Sequence, residues 1–204
     1  MTTDNSLSRA AAPWVGKVLV ESLLIVLSIL LALAVDSWRE GRQNARRAEQ
    51  ALTSFEAEIR QNKAELEGII PYHRRIQKEI GELSAAGEIR RFEDLRKIQG
   101  FQGFRPPFLR DTAWRTAVAT GTFEHLDYKT AQALSLLYTL QERVVTTSSP
   151  TYLFGPTSLA DENIPSLMRA VVFYLGDVTG GDKELQKVYE QVLGYLEKRP
   201  GRPR

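Results

Sequence analysis

Hydrophobic and polar residues fall into two patterns along the chain. From Val18 to Val35 the run Val-Leu-Val-Glu-Ser-Leu-Leu-Ile-Val-Leu-Ser-Ile-Leu-Leu-Ala-Leu-Ala-Val is apolar at nearly every position. At about 1.5 Å per residue it approaches the length that crosses a hydrocarbon core, which predicts a transmembrane helix over 17–38 after an N-terminal tail, 1–16. Further on the apolar beat changes to steps of three and four: Ala45, Ala48, Leu52, Phe55, Ile59, Asn62, Leu66, Ile69, His73, Ile76, Ile80 and Leu83. This heptad seam predicts a long amphipathic helix over 39–87. Traced backwards through Gly41 and Trp38, the seam meets Ala34, Leu31, Leu27, Leu24 and Val20, as one continuous rod would require. Pro71 removes a backbone donor and disfavours the helical conformation of Ile70, so a break near Gly68 to Pro71 is expected.

Over 88–107 the composition shifts to Gly100, Gly103, Pro106 and Pro107 among Phe101, Phe104 and Phe108, which reads as a connector. Its aromatics are expected to fold back onto the helices, since three exposed phenylalanines would promote aggregation. The stretch 108–198 completes a helical bundle. Asp111 is placed to cap a helix that Gly121 stops, and Asp127 to cap the next, through about Val144. Thr146 to Pro156 is a polar loop. A further helix starts near Pro165, with Leu167, Val171, Val172 and Leu175 on one face. Gly180-Gly181 then marks a stop, after which Asp182 would cap a last helix carrying Leu185, Val188, Val192 and Leu196 inward. Residues 199–204 form a basic tail. The fold class is all-α: a transmembrane helix continuing into a long helix, followed by a helical bundle.

Composition narrows the function. With 27 Lys+Arg against 25 Asp+Glu in 204 residues the net charge is only +2, which argues against bulk-charge binding of nucleic acid. The tail Lys198-Arg-Pro-Gly-Arg-Pro-Arg204 offers only a weak, minor-groove-like alternative. A hydrophobic content of 43% is enough for an ordered core. The absence of cysteine excludes disulfides, thiolate metal sites, iron–sulfur clusters and a Cys nucleophile.

Trp14 and Trp38 stand at the two ends of the apolar run, at the headgroup level that indoles favour, and Lys17 can snorkel outward. Glu21 lies one turn from Lys17, where an i,i+4 ion pair is the simplest expectation; a titrating or helix-pairing carboxylate, aided by Ser22 and Ser28, is the sharper one. The competing accounts of the run are a buried helix of a soluble domain, which seldom stays apolar all round for so long, and a cleavable leader, with Arg9 and Lys17 as its basic part and Ala32-Leu-Ala34 as the cleavage site. Against the leader stand Glu21 and the arginines Arg39, Arg42, Arg46 and Arg47 just downstream.

Glu21, Ile29-Leu30, Ala32-Leu33, Val35, Trp38 and Glu40 carry a resemblance. They resemble the N-terminal signature of a family of uncharacterised bacterial membrane proteins, classed as a domain of unknown function, in which a glutamate opens the span and Trp-x-Glu follows it. Ser28 stands where that family usually has Gly, and Asp36-Ser37 where it has Asn-Asn. The segment from Ala119 to Asp127 is similar to a small-Gly-x-hydrophobic step of the same family. The resemblance implies a single-pass protein of the bacterial cytoplasmic membrane, and brings no activity, cofactor or substrate. The four arginines after the span point to a cytoplasmic C-terminal part. The more basic leader usual in the family points the other way.

No phosphate-cradling glycine loop, His-Glu-x-x-His or Gly-x-Ser-x-Gly motif is present, so no catalytic, cofactor-binding or metal site is expected. Asn62 is read as a polar seam residue that fixes register, and His73 as a helix-surface or interface histidine. Trp114, His125 and Tyr138 are weak candidates for a ligand site. The expected function is a membrane-anchored, non-enzymatic scaffold or interaction module. Its partners would be the bilayer and a second copy, paired along Leu52, Phe55, Ile59, Asn62, Leu66 and Ile69, unless that stripe is covered by the chain's own later helices. The alternative is a tethered small-molecule sensor acting through a separate partner.

Overall fold

A computed structural model describes residues 12–149 and 163–199. Among these the chain is all-α, with no strand. Its helices are α1 (Ala12–Ala85), α2 (Thr112–Ala119), α3 (Tyr128–Thr147) and α4 (Ile164–Lys198), with 3-10 turns at Phe92–Lys97 and Thr122–His125. The chain divides into two compact units, Met1–Arg47 and Ala48–Arg204, and α1 contributes to both.

In the first unit every side chain from Gly16 to Gln43 is exposed, although most of those up to Val35 are apolar. The helix is long and apolar enough to cross a membrane, with a mean hydropathy of 2.8 over its most apolar window. Ser28 Oγ donates back to the carbonyls of Leu24 and Ile25, so its hydroxyl is satisfied within its own helix. Lys17 and Glu21 are both exposed and form no ion pair.

The second unit buries its apolar residues in two clusters. Leu52, Phe55, Ile59, Leu66 and Ile69 of α1 meet Leu134, Leu137 and Tyr138 of α3 and Leu185, Tyr189 and Leu196 of α4. Further along, Ile76 and Ile80 meet Ile89, Leu95, Ile98 and Phe104 of the connector and Ile164, Met168, Val171 and Leu175 of α4. The heptad stripe is therefore covered by the chain's own later helices. Leu52, Phe55, Ile59, Asn62, Leu66 and Ile69 are all buried within one chain, which corrects their expected role as a face for a second copy.

Two punctuation marks in the sequence are overridden. Helix α1 runs through Pro71 without ending. Pro71 and Glu67, whose carbonyl loses its donor there, both lie on the exposed face, so water can replace the lost bond. Helix α4 likewise continues through Gly180-Gly181 to Lys198. Val178, Thr179, Asp182 and Leu185 around the glycines are buried, and that packing outweighs the roughly 1 kcal/mol that each helical glycine costs relative to alanine. Among the connector phenylalanines, Phe104 is buried and Phe101 packs edge-on against it, but Phe108 is 75% exposed. The entries to α3 and α4 match expectation: Asp127 caps α3 by accepting from Thr130 N–H at 3.0 Å, and Pro165 sits in the first turn of α4.

Candidate functional site

Helix α1 presents a row of polar side chains in the second unit, and the non-helical segment 99–111, with the start of α2, lies along it in the opposite direction. Glu58 accepts from Ala113 N–H at 2.9 Å, in the first turn of α2. Asp111 is the residue before that helix, yet its own carboxylate accepts from Arg115 instead, so Glu58, 55 positions earlier, does the capping that Asp111 was expected to do. One turn on, Asn62 grips Arg110 on both sides: its amide donates to the Arg110 carbonyl and its oxygen accepts the Arg110 N–H, each at 2.8 Å. Tyr72 donates to the Gly103 carbonyl at 2.6 Å and accepts from Gln102 N–H at 2.9 Å. Arg75 donates to the Gln99 carbonyl.

Two further helices close on the same row. Tyr138 of α3 donates to the second oxygen of Glu58 at 2.6 Å; burial, together with that carboxylate, pushes its phenol well above the ordinary range. Gln141 of α3 donates to the Arg110 carbonyl and accepts from both Asn62 and Tyr189. Asn62, a polar residue in the seam, makes all of these bonds within one chain. At the end of α4, Arg199 reaches Glu49 and Glu56, each at 2.6 Å, so the first residue of the supposed basic tail is held against α1. The rest of that tail, and the loop from residue 150 to 156, lie outside the described residues.

His73 is buried completely, contrary to the expected surface or interface position. Its Nε2 lies 2.9 and 3.0 Å from the carbonyl oxygens of Phe104 and Arg105, and Nδ1 lies 3.3 Å from Asp182 Oδ2. Carbonyls only accept, so Nε2 carries the ring proton that faces them. Asp182 is equally buried, and its Oδ1 meets no donor among the described residues. The pair ties connector, α1 and α4 together at one point. Nothing in the spacing of the sequence signals it, because Asp182 after Gly180-Gly181 looks like a helix cap.

The weak ligand candidates separate. Trp114 and Tyr138 stack with ring centroids 5.2 Å apart, and Phe123 meets the indole edge-on at 4.9 Å. Trp114 and Tyr138 line an open cleft of about 470 Å³ together with Asp111, Arg115, Gln141 and Glu142. His125 is exposed and does not line it, so the three candidates do not form one site. Among the described residues, no three His, Asp or Glu side chains converge as metal ligands would.

The membrane-side candidates stay on the first unit. Trp14 and Trp38 are exposed at either end of the apolar run, and the Arg42 guanidinium lies 4.9 Å over the Trp38 ring. Comparison with protein-family models, curated proteins and solved structures gave no match.

Proposed function

We propose that this chain is a single-pass protein of the bacterial cytoplasmic membrane, a member of the family its N-terminal signature resembles, and that it works without catalysis as a tethered helical interaction module. One contrast carries the reading. The second unit buries Phe55, Ile59, Leu66, Ile76 and Ile80 to nothing, whereas Leu19, Leu23, Ile25, Leu27 and Leu31 are each more than half exposed on the same helix type. A continuous apolar surface on all sides is stable in hydrocarbon and costly in water. Trp14 and Trp38, with Lys17 and Glu21 near one boundary, would set the depth of the span. The bundle then serves as the displayed part, and a protein partner would meet its exposed apolar side chains, such as Phe108, Tyr128, Leu136 and Phe173.

The test is alkaline extraction of cell membranes combined with protease accessibility of a C-terminal tag. The intact chain should stay in the pellet after extraction, with the tag on one side only. Recovery of a soluble chain beginning near Val35 would overturn the anchor.

A sensing role has one observation in its favour, the aromatic-walled cleft at Trp114 and Tyr138, whose volume is in the range of small-molecule sites. A ligand there should protect the Trp114 indole from a soluble quencher.

A further inference from the structure

We infer that Arg39, Arg42 and Arg46 form a binding stripe for anionic phospholipid headgroups; this rests on the membrane reading above and names the lipid class that the anchor selects. The four arginines after the apolar run are not equivalent. At 100° per residue, Arg39, Arg42 and Arg46 fall within about 60° of arc, whereas Arg47 falls about 80° beyond the edge of that arc, between Asp36 and Glu40. One face of the helix is thus purely cationic and the neighbouring one is charge-balanced. All three arginines are exposed, and no carboxylate pairs with them among the described residues. Glu49, the next acid along the helix, is engaged by Arg199.

Depth supports the assignment. Counted from Val35 at about 1.5 Å per residue, Arg39, Arg42 and Arg46 lie roughly 6, 10 and 16 Å beyond the apolar boundary. The headgroup layer occupies about the first 5–7 Å, so Arg39 lies within it, Arg42 reaches it by leaning back one turn, and Arg46, beyond it, adds its charge within about a Debye length of the surface. Side chains on a helix lean towards its N-terminus, which here is the bilayer side, and Arg42 shows it by lying over Trp38, one turn back. Guanidinium groups leaning into the interface are matched to phosphate oxygens by their paired N–H donors. An indole at the same level fixes the depth at which they meet. A nucleic acid or an acidic protein would find the same charge, but neither would be placed there by the adjoining apolar segment.

The experiment uses the full chain reconstituted in phosphatidylcholine vesicles containing a trace of spin-labelled phosphatidylglycerol or spin-labelled phosphatidylcholine. Flotation first confirms insertion, and the motionally restricted fraction of each probe is then read by electron paramagnetic resonance. The native chain should prefer the anionic probe by at least about fivefold, the effect of one arginine near an anionic surface. The preference should vanish in R39Q/R42Q/R46Q and in high salt, while R47Q retains it and all variants still float. Equal restriction of the two probes by the native chain, or an R47Q loss as large as that of the triple variant, would overturn the stripe and leave the anchor standing. A chain that does not float would overturn both.

Discussion

Glu58 shows how much one side chain can fix. It caps α2 through Ala113 and accepts the hydroxyl of Tyr138 on α3, so one residue of α1 sets the position of two other helices. His73 and Asp182 do the same for the connector and α4. Removing the imidazole leaves a buried carboxyl and two buried carbonyls without their partner, and His73→Ala should cost about 3 kcal/mol or more in chemical denaturation. Asp182→Asn should cost clearly less, because an amide can donate to Nδ1 while Nε2 keeps its carbonyls; equal losses would refute this proton arrangement. Asp94 provides a pH test. Backbone N–H groups of Arg90 and Arg91, with Lys97 beside them, hold its carboxyl down to about 2. Its pKa is depressed, so its contribution to the turn at Phe92–Lys97 is full above the ordinary carboxylate range and is lost as pH falls through about 2. Carboxyl NMR of Asp94 should show that midpoint, and a midpoint near 4 would contradict it. Asn62 and His73 were legible as anomalies, since both are polar in an apolar seam. Their partners were not, because seam position says nothing of which distant residue faces it, and Gln141, Asp182 and Glu58 all sit where solvated faces or caps are expected.

Element boundaries followed local chemistry where the chain is exposed and failed where it is packed. Asp127 and Pro165 begin helices as their chemistry dictates, and Gly121 ends α2 in the left-handed conformation with φ 67°. Asp127→Ala should cost about 1 kcal/mol through the lost cap. Pro71 and Gly180-Gly181 interrupt nothing, because buried residues on both sides hold the helix through them. Glycine substitutions in α4 separate propensity from packing. A Cβ at Gly180 would meet nothing within 4 Å, so Gly180→Ala should stabilise by about 0.5–1 kcal/mol. A Cβ at Gly176 would lie 2.9 Å from Gln77 Nε2, which donates to the Val172 carbonyl. Gly176→Ala must displace that side chain and should gain less, or lose. Thermal midpoints of the two variants in the same detergent provide the comparison.

At the scale of the whole chain, the all-α class was legible because it depends on hydrophobic period alone: unbroken to Val35, then steps of three and four. What covers the second pattern was not, since a heptad stripe fits a second copy and the chain's own helices equally well. Partners from α3 and α4 take it. Leu27→Arg, in the middle of the apolar run, should weaken membrane insertion by about 2.5–3.5 kcal/mol while leaving the core around Phe55 and Tyr138 unaffected. Alkaline extraction would report the first effect and near-ultraviolet circular dichroism the second.

The Arg199 contacts bear on synthesis. Glu49 and Glu56 belong to the first third of the chain, and the guanidinium that holds them arrives just after the last turn of α4. A ribosome adding about 5–20 residues per second needs on the order of ten seconds to travel from the end of α1 to that arginine. Throughout that interval the apolar side of α1 has been made and its cover is incomplete. Nascent copies therefore pass through a stage at which neighbouring ribosomes on one message would hold matching sticky stripes close together, and slow codons between α3 and α4 would lengthen that exposure.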